Sequence, residues 1–139
     1  MGDKMNIQFL GKFKSLAVLT TMCIVPMHIQ AMGYSSNYAS CMNSAGLATS
    51  AVASCMNAEY RYQNNRANDN FKASLALYGD AEKKRQKAAH KQWKKLRASN
   101  CRKEASSDSI ERKTYFLNCA IKMTVTRADL LEKQVYRLK

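Results

Sequence analysis

The chain has 139 residues, of which 46% are hydrophobic and 24% charged, and its 23 Lys and Arg against 10 Asp and Glu give a net charge of +13. That length suits one domain and leaves no room for a second, and the charge directs the chain towards anionic partners or surroundings. No apolar run reaches the roughly 20 residues of a membrane span, which argues against a spanning protein.

Residues 1–31 differ from the rest: Lys4, Lys12 and Lys14 precede an apolar run from Leu16 to Met27, broken by Pro26 and followed by Ile29-Gln30-Ala31. This is the outline of a secretory signal peptide, with cleavage expected after Ala31 and no span left afterwards. The mature part, 32–139, then keeps 20 basic and 9 acidic residues and a net charge of +11. Cys23 leaves with the signal, because Thr20-Thr21-Met22 lacks the small residues of a lipoprotein cleavage site.

Four cysteines remain, Cys41, Cys55, Cys101 and Cys119. An even count in a short exported chain reads as two disulfides, with three possible pairings. Zinc is the competing reading, but no Cys-x-x-Cys occurs and His90 is the only histidine after the signal.

Gly33 to Asn37 reads as a flexible lead-in, with order beginning near Tyr38 and a short helix around Tyr38 to Ser44. Met56, Tyr60, Ala67, Phe71, Leu75 and Tyr78, with Asn64 taking one turn, mark one stripe of a long helix that Gly79 ends. Asp80 is expected to cap the next helix, with Glu82 favoured in its first turn, and this helix runs to about Lys103. Its inward face is expected to be Ala81, Ala88, Ala89, Trp93 and Leu96, with Trp93 as the main, largely buried anchor. Ser106 to Ser109 is a turn, and Asp108 with Glu111 has the form of a capping box. Leu117, Ile121, Thr124, Ala128, Leu131, Val135 and Leu138 give the last helix its apolar stripe.

The fold expected is all-α: a small up-down-up bundle of three long helices plus a short N-terminal helix, stapled by two disulfides. The pairings Cys41 to Cys55 and Cys101 to Cys119 each join neighbours across one short connection, whereas crossed pairings tie distant ends. In so small a core the cysteines are structural first.

No catalytic constellation assembles: one histidine, no cysteine outside a disulfide and scattered carboxylates do not make an enzyme site, and no cofactor or metal is implied. His90, among Lys87, Lys91 and Lys94, reads as a solvated surface residue kept neutral by repulsion. Trp93, Arg97 and Cys101, spaced by four, share one helix face. There Trp93 fills the core, Cys101 binds the next helix, and Arg97 packs its stem inward with its head bonded to a carbonyl or carboxylate.

The order Cys41, Cys55, Trp93-x-x-x-Arg97-x-x-x-Cys101, Cys119, Thr124-x-x-Arg127 resembles the lysozyme inhibitor LprI N-terminal domain family. Glu59-Tyr60, Asn68-x-x-Phe71 and Leu131 extend the likeness over about Tyr38 to Leu131. Ala67 stands where the family usually has Leu, Asn64 where it has Asp, and Ala98 where Asp commonly follows the Arg, which implies the loss of an internal ion pair. The resemblance implies a small exported helical protein, periplasmic or secreted, that inhibits a lysozyme-type, peptidoglycan-cleaving enzyme. Its structural motif is Tyr60, Asn68, Phe71, Trp93, Arg97, Thr124 and Arg127. A partner at +11 repels a basic lysozyme unless the contact face is locally acidic.

Ten of the basic residues lie between Lys83 and Lys103 with no acid among them. The bland interpretation is a solvated helix face. The functional one is that Lys84, Lys87, Lys91, Lys94 and Lys95 bind an anionic envelope component, either polymer or lipid head groups. Export and the lack of a reading motif argue against nucleic acid, and no small-molecule substrate is indicated.

Overall fold

The structure, a computed structural model, describes residues 33–103 and 109–139. The expected signal peptide and the Asp108 end of the capping box lie outside them. Among the described residues all regular structure is helical: α1 (Ser36–Ala45), α2 (Thr49–Ala76), α3 (Asp80–Lys103) and α4 (Ser109–Leu138).

Ser35 opens α1 as its N-cap, its hydroxyl accepting from the Tyr38 amide at 3.1 Å. Gly46 ends it at φ +53°, a left-handed conformation that a residue without Cβ adopts freely. After Gly79, Asp80 is the first helical residue and not the cap expected of it. The Lys83 amide donates to the Gly79 carbonyl at 2.9 Å, and the exposed Asp80 carboxylate meets Lys83 Nζ at 3.7 Å.

The contacts give the directions. Met56 packs with Leu117, Ile121 and Val125, and Ala67 further along packs with Ala128 and Leu131, so α2 and α4 run parallel as the main pair of the bundle. His90 meets Phe71 while Arg97 meets Asn64 and Thr124, so α3 runs antiparallel to both, and the up-down-up order holds. α3 lies mainly against α4 and more lightly than α2 does. The upper core is completed by Tyr38 and Met42 of α1, with Val52, Tyr60 and Phe116.

Both disulfides pair as expected, Cys41 with Cys55 and Cys101 with Cys119, over Cα separations of 5.7 and 5.3 Å. The first clamps α1 to the opening turns of α2, and the second ties the end of α3 to α4. At the opposite end Gln134 donates to the Tyr78 hydroxyl, closing α4 onto the end of α2.

Two further expectations are corrected. The inward face of α3 is not the alanine row: Ala81, Ala88, Ala89 and Leu96 are exposed, and Trp93 is half-buried. The face turned in carries Lys83, Gln86, His90, Trp93, Arg97 and Cys101, which keeps the three-and-four spacing but replaces methyl groups by rings and polar heads. The lead-in is also anchored, because buried polar groups of α2 and α4 find their partners in its backbone: the Gly33 amide donates to Asp129, its carbonyl accepts from Gln63, and the Ser35 amide donates to Glu59.

Candidate functional site

Three side-chain clusters occupy the polar interior. In the first, Arg97 of α3 reaches across the bundle, its Nη1 donating to Asn64 Oδ1 of α2 at 3.1 Å and to Thr124 Oγ1 of α4 at 2.9 Å. Thr124 in turn donates to the Ala120 carbonyl at 2.5 Å. The guanidinium carbon lies 4.7 Å from the Trp93 ring centre and 5.2 Å from that of Tyr60, both within cation–π range. Among the described residues no carboxylate pairs with Arg97, and burial, opposed by Tyr60, draws its pKa below the ordinary value. The residue opposite it on α2 is Asn64, whose amide oxygen accepts a hydrogen bond and carries no counter-charge.

The second cluster is a stack. His90 is 4% exposed, its ring 4.0 Å from Phe71 and 9° from parallel, with Trp93 following at 5.5 Å. The surface histidine expected from its lysine neighbours is therefore a core residue, because it lies on the inward face of α3 with Trp93 and Arg97 while Ala81, Ala88 and Ala89 face outward. Burial, reinforced by Lys94, Arg127 and Arg97, lowers its pKa to about 4. Its Nδ1 is buried without a hydrogen-bond partner.

The third cluster carries no apolar signal and escaped the sequence reading. Arg66 binds Asp129 at 2.7 Å and Glu132, both on α4, and donates to Gln63, which donates to Glu59 at 2.8 Å. Burial disfavours the Arg66 cation, but the hydrogen bonds to Glu132 and Asp129 outweigh it and raise its pKa. The Ser35 hydroxyl donates to the far oxygen of Glu59 at 2.5 Å, so this network reaches the lead-in. Glu59, Gln63 and Arg66 recur at four and three, and Asp129 and Glu132 at three. That spacing was the only signal available.

The family-motif residues fall into these clusters. Tyr60 and Phe71 are half-buried on α2, Trp93 and Arg97 face inward from α3, Thr124 is fully enclosed, and Arg127 lies 5.7 Å from the Trp93 ring. Asn68 is half-buried on α2. The five candidate binding lysines, Lys84, Lys87, Lys91, Lys94 and Lys95, are all exposed on α3, apart from the interior clusters. Among the described residues no group of three His, Cys, Asp or Glu could hold a metal, and no helix is long and apolar enough to cross a membrane.

The family model described as lysozyme inhibitor LprI matches residues 41–131, from the first cysteine of α1 to the last enclosed leucine of α4. The chain belongs to the lysozyme inhibitor LprI family. No curated protein and no solved structure matches it. The matched span takes in both disulfides and the Arg97 and His90 clusters, whereas Glu132 and the lead-in fall outside it. An LprI-family chain with these interior residues uses Arg97, held by Asn64, Thr124 and the Trp93 and Tyr60 rings, to join α3 to the α2–α4 pair.

Proposed function

We propose that this LprI-family chain is an exported binding protein that inhibits a peptidoglycan-cleaving enzyme of lysozyme type by covering part of its surface. The observation that carries the reading is the family match over residues 41–131. Two disulfides in a small helical bundle suit an oxidising, extracytoplasmic setting. The net charge of the expected mature part directs it to an enzyme whose contact face is acidic. The test is turnover of cell-wall substrate by a panel of acidic and basic lytic enzymes, titrated with the chain from Met32 onward. One-to-one, saturable inhibition of an acidic member is expected. An unaffected panel overturns the proposal.

One observation favours a second reading. Lys84, Lys87, Lys91, Lys94 and Lys95 are all exposed on α3, and α3 has no acid beyond Asp80 and Glu82 in its first turn. On this reading the face binds anionic envelope polymer. Retention on wall polymer that falls steeply with salt supports it, and salt-insensitive, stoichiometric capture of one protein removes it.

A further inference from the structure

Three arginines point into the bundle, and their counter-charges differ. Arg66 has two carboxylates, whereas among the described residues neither Arg97 nor Arg127 has any. Arg97 has at least Asn64 and Thr124; the Nε of Arg127, like that of Arg66, is buried without a hydrogen-bond partner, but Arg127 has no carboxylate among the described residues to offset it. Burial alone lowers the pKa of Arg127, with no anion beside it to restore the cation. A desolvated cation left in this condition is costly unless an anion reaches it.

The surroundings of Arg127 are a cleft of about 330 Å³ between α3 and α4, lined by Trp93, Lys122, Met123, Thr126, Arg127 and Leu130. In it the Arg127 guanidinium carbon lies 5.7 Å from the centre of the Trp93 ring, Met123 adds apolar lining, and Leu130 is 50% exposed. Lys122 adds a second cation at the rim. Trp, Met and Arg are the residue types that concentrate at the centre of protein contacts, where an anchor enters a partly desolvated pocket.

We propose that this cleft is the anchor site for an acidic side chain of a protein partner, a carboxylate flanked by an apolar residue. The carboxylate meets Arg127, with Lys122 in support, and the apolar neighbour lies on Trp93 and Leu130. Arg127 is the group of choice for the contact because a guanidinium offers a fork of donors to two carboxylate oxygens. The inference rests on the reading of the chain as a binding protein and gives its partner's contact residue a chemical class.

Trp93 is the only tryptophan, so its emission reports on the cleft. The probes are the capped peptides acetyl-Leu-Glu-Leu-amide and acetyl-Leu-Gln-Leu-amide, titrated into the oxidised mature chain. The glutamate peptide is expected to give a saturable change with a Kd of about 1 mM, and the glutamine peptide to bind at least about tenfold more weakly. Arg127→Gln is expected to lose that preference without a loss of Tm, and Arg127→Lys to retain part of it. Equal binding of the two peptides, or no saturable change, overturns the proposal. So does a destabilised Arg127→Gln accompanied by an Arg127→Lys with unchanged peptide preference. Lytic assays separate the two readings: probe binding without inhibition of any enzyme removes the inhibitor reading and keeps the site. Inhibition undiminished in Arg127→Gln removes the site and keeps the inhibitor.

Discussion

The imidazole of His90 lies flat on the phenyl ring of Phe71, 4.0 Å between centres, and this contact joins α3 to α2. The ring is neutral there, since burial disfavours the charged form and protonation would place a fourth cation beside Lys94, Arg127 and Arg97. The histidine pKa, 6.5 in an open chain, falls to about 4 in the fold. Between those values the unfolded chain binds the extra proton, so stability is complete above pH 6.5 and declines as pH falls towards 4. Screened by nearby solvent, the loss at pH 5 should be about 1–2 kcal/mol. Urea midpoints for the parent and His90→Gln check it: the variant should be weaker at pH 7 but flat across the window.

Arg66 holds the two carboxylates of Asp129 and Glu132 together on α4. Replacing it with Met leaves them side by side and half-buried without a counter-ion, and breaking such a pair from one side costs about 3 kcal/mol. Arg66→Met/Asp129→Asn/Glu132→Gln should recover most of that loss, because the charges leave together. Denaturant titration of the single and triple variants measures the difference.

Trp93 is half-buried, so its truncation costs less than the 3–5 kcal/mol usual for an enclosed aromatic. Trp93→Ala should fold and lose about 2 kcal/mol, part of it from Arg97, which keeps Asn64 and Thr124 but loses its closest ring. A thermal melt followed by circular dichroism reads it. A drop as large as that of Ile121→Ala, a residue 1% exposed, would mean that the ring is a core element after all.

Five lysines of α3 are exposed and make no ion pair among the described residues. Lys84, Lys87, Lys91, Lys94 and Lys95 changed together to Gln should each move stability by less than about 0.5 kcal/mol. Retention on anionic wall polymer should drop at low salt, with a shallower slope against salt concentration. An unchanged salt profile would mean that the charge serves solvation alone.

Hydropathy made α4 legible because Leu117, Ile121, Ala128 and Leu131 face the core without interruption. It misplaced α3 for a physical reason: Trp93 belongs to two candidate faces, one through Ala89 and Leu96, the other through His90, Arg97 and Cys101. Apolar counting selects the first. Extending the Trp93, Arg97, Cys101 alignment back to His90 and Gln86 would have selected the second. Glu59, Gln63 and Arg66 look like a solvated face locally, and their reasons to be buried lie far along the chain: Gly33 and Ser35 of the lead-in for Gln63 and Glu59, and Asp129 and Glu132 for Arg66. The cysteine pairing was readable because topology alone favours it. The cleft beside Arg127 was not, since it depends on which cations lack a carboxylate, a property of the assembled bundle.

Each disulfide closes over a short stretch of chain, 14 and 18 residues, and neither loop encloses the other. A chain emerging amino end first therefore meets its cysteines in the order in which they marry. If the expected signal peptide takes Cys23 away, Cys41 can be oxidised against Cys55 before Cys101 follows, and the later pair then finds no other thiol to compete for. Simple oxidation suffices to complete such a chain, with no reshuffling step, and a refolding mixture should reach one covalent isomer without an isomerase.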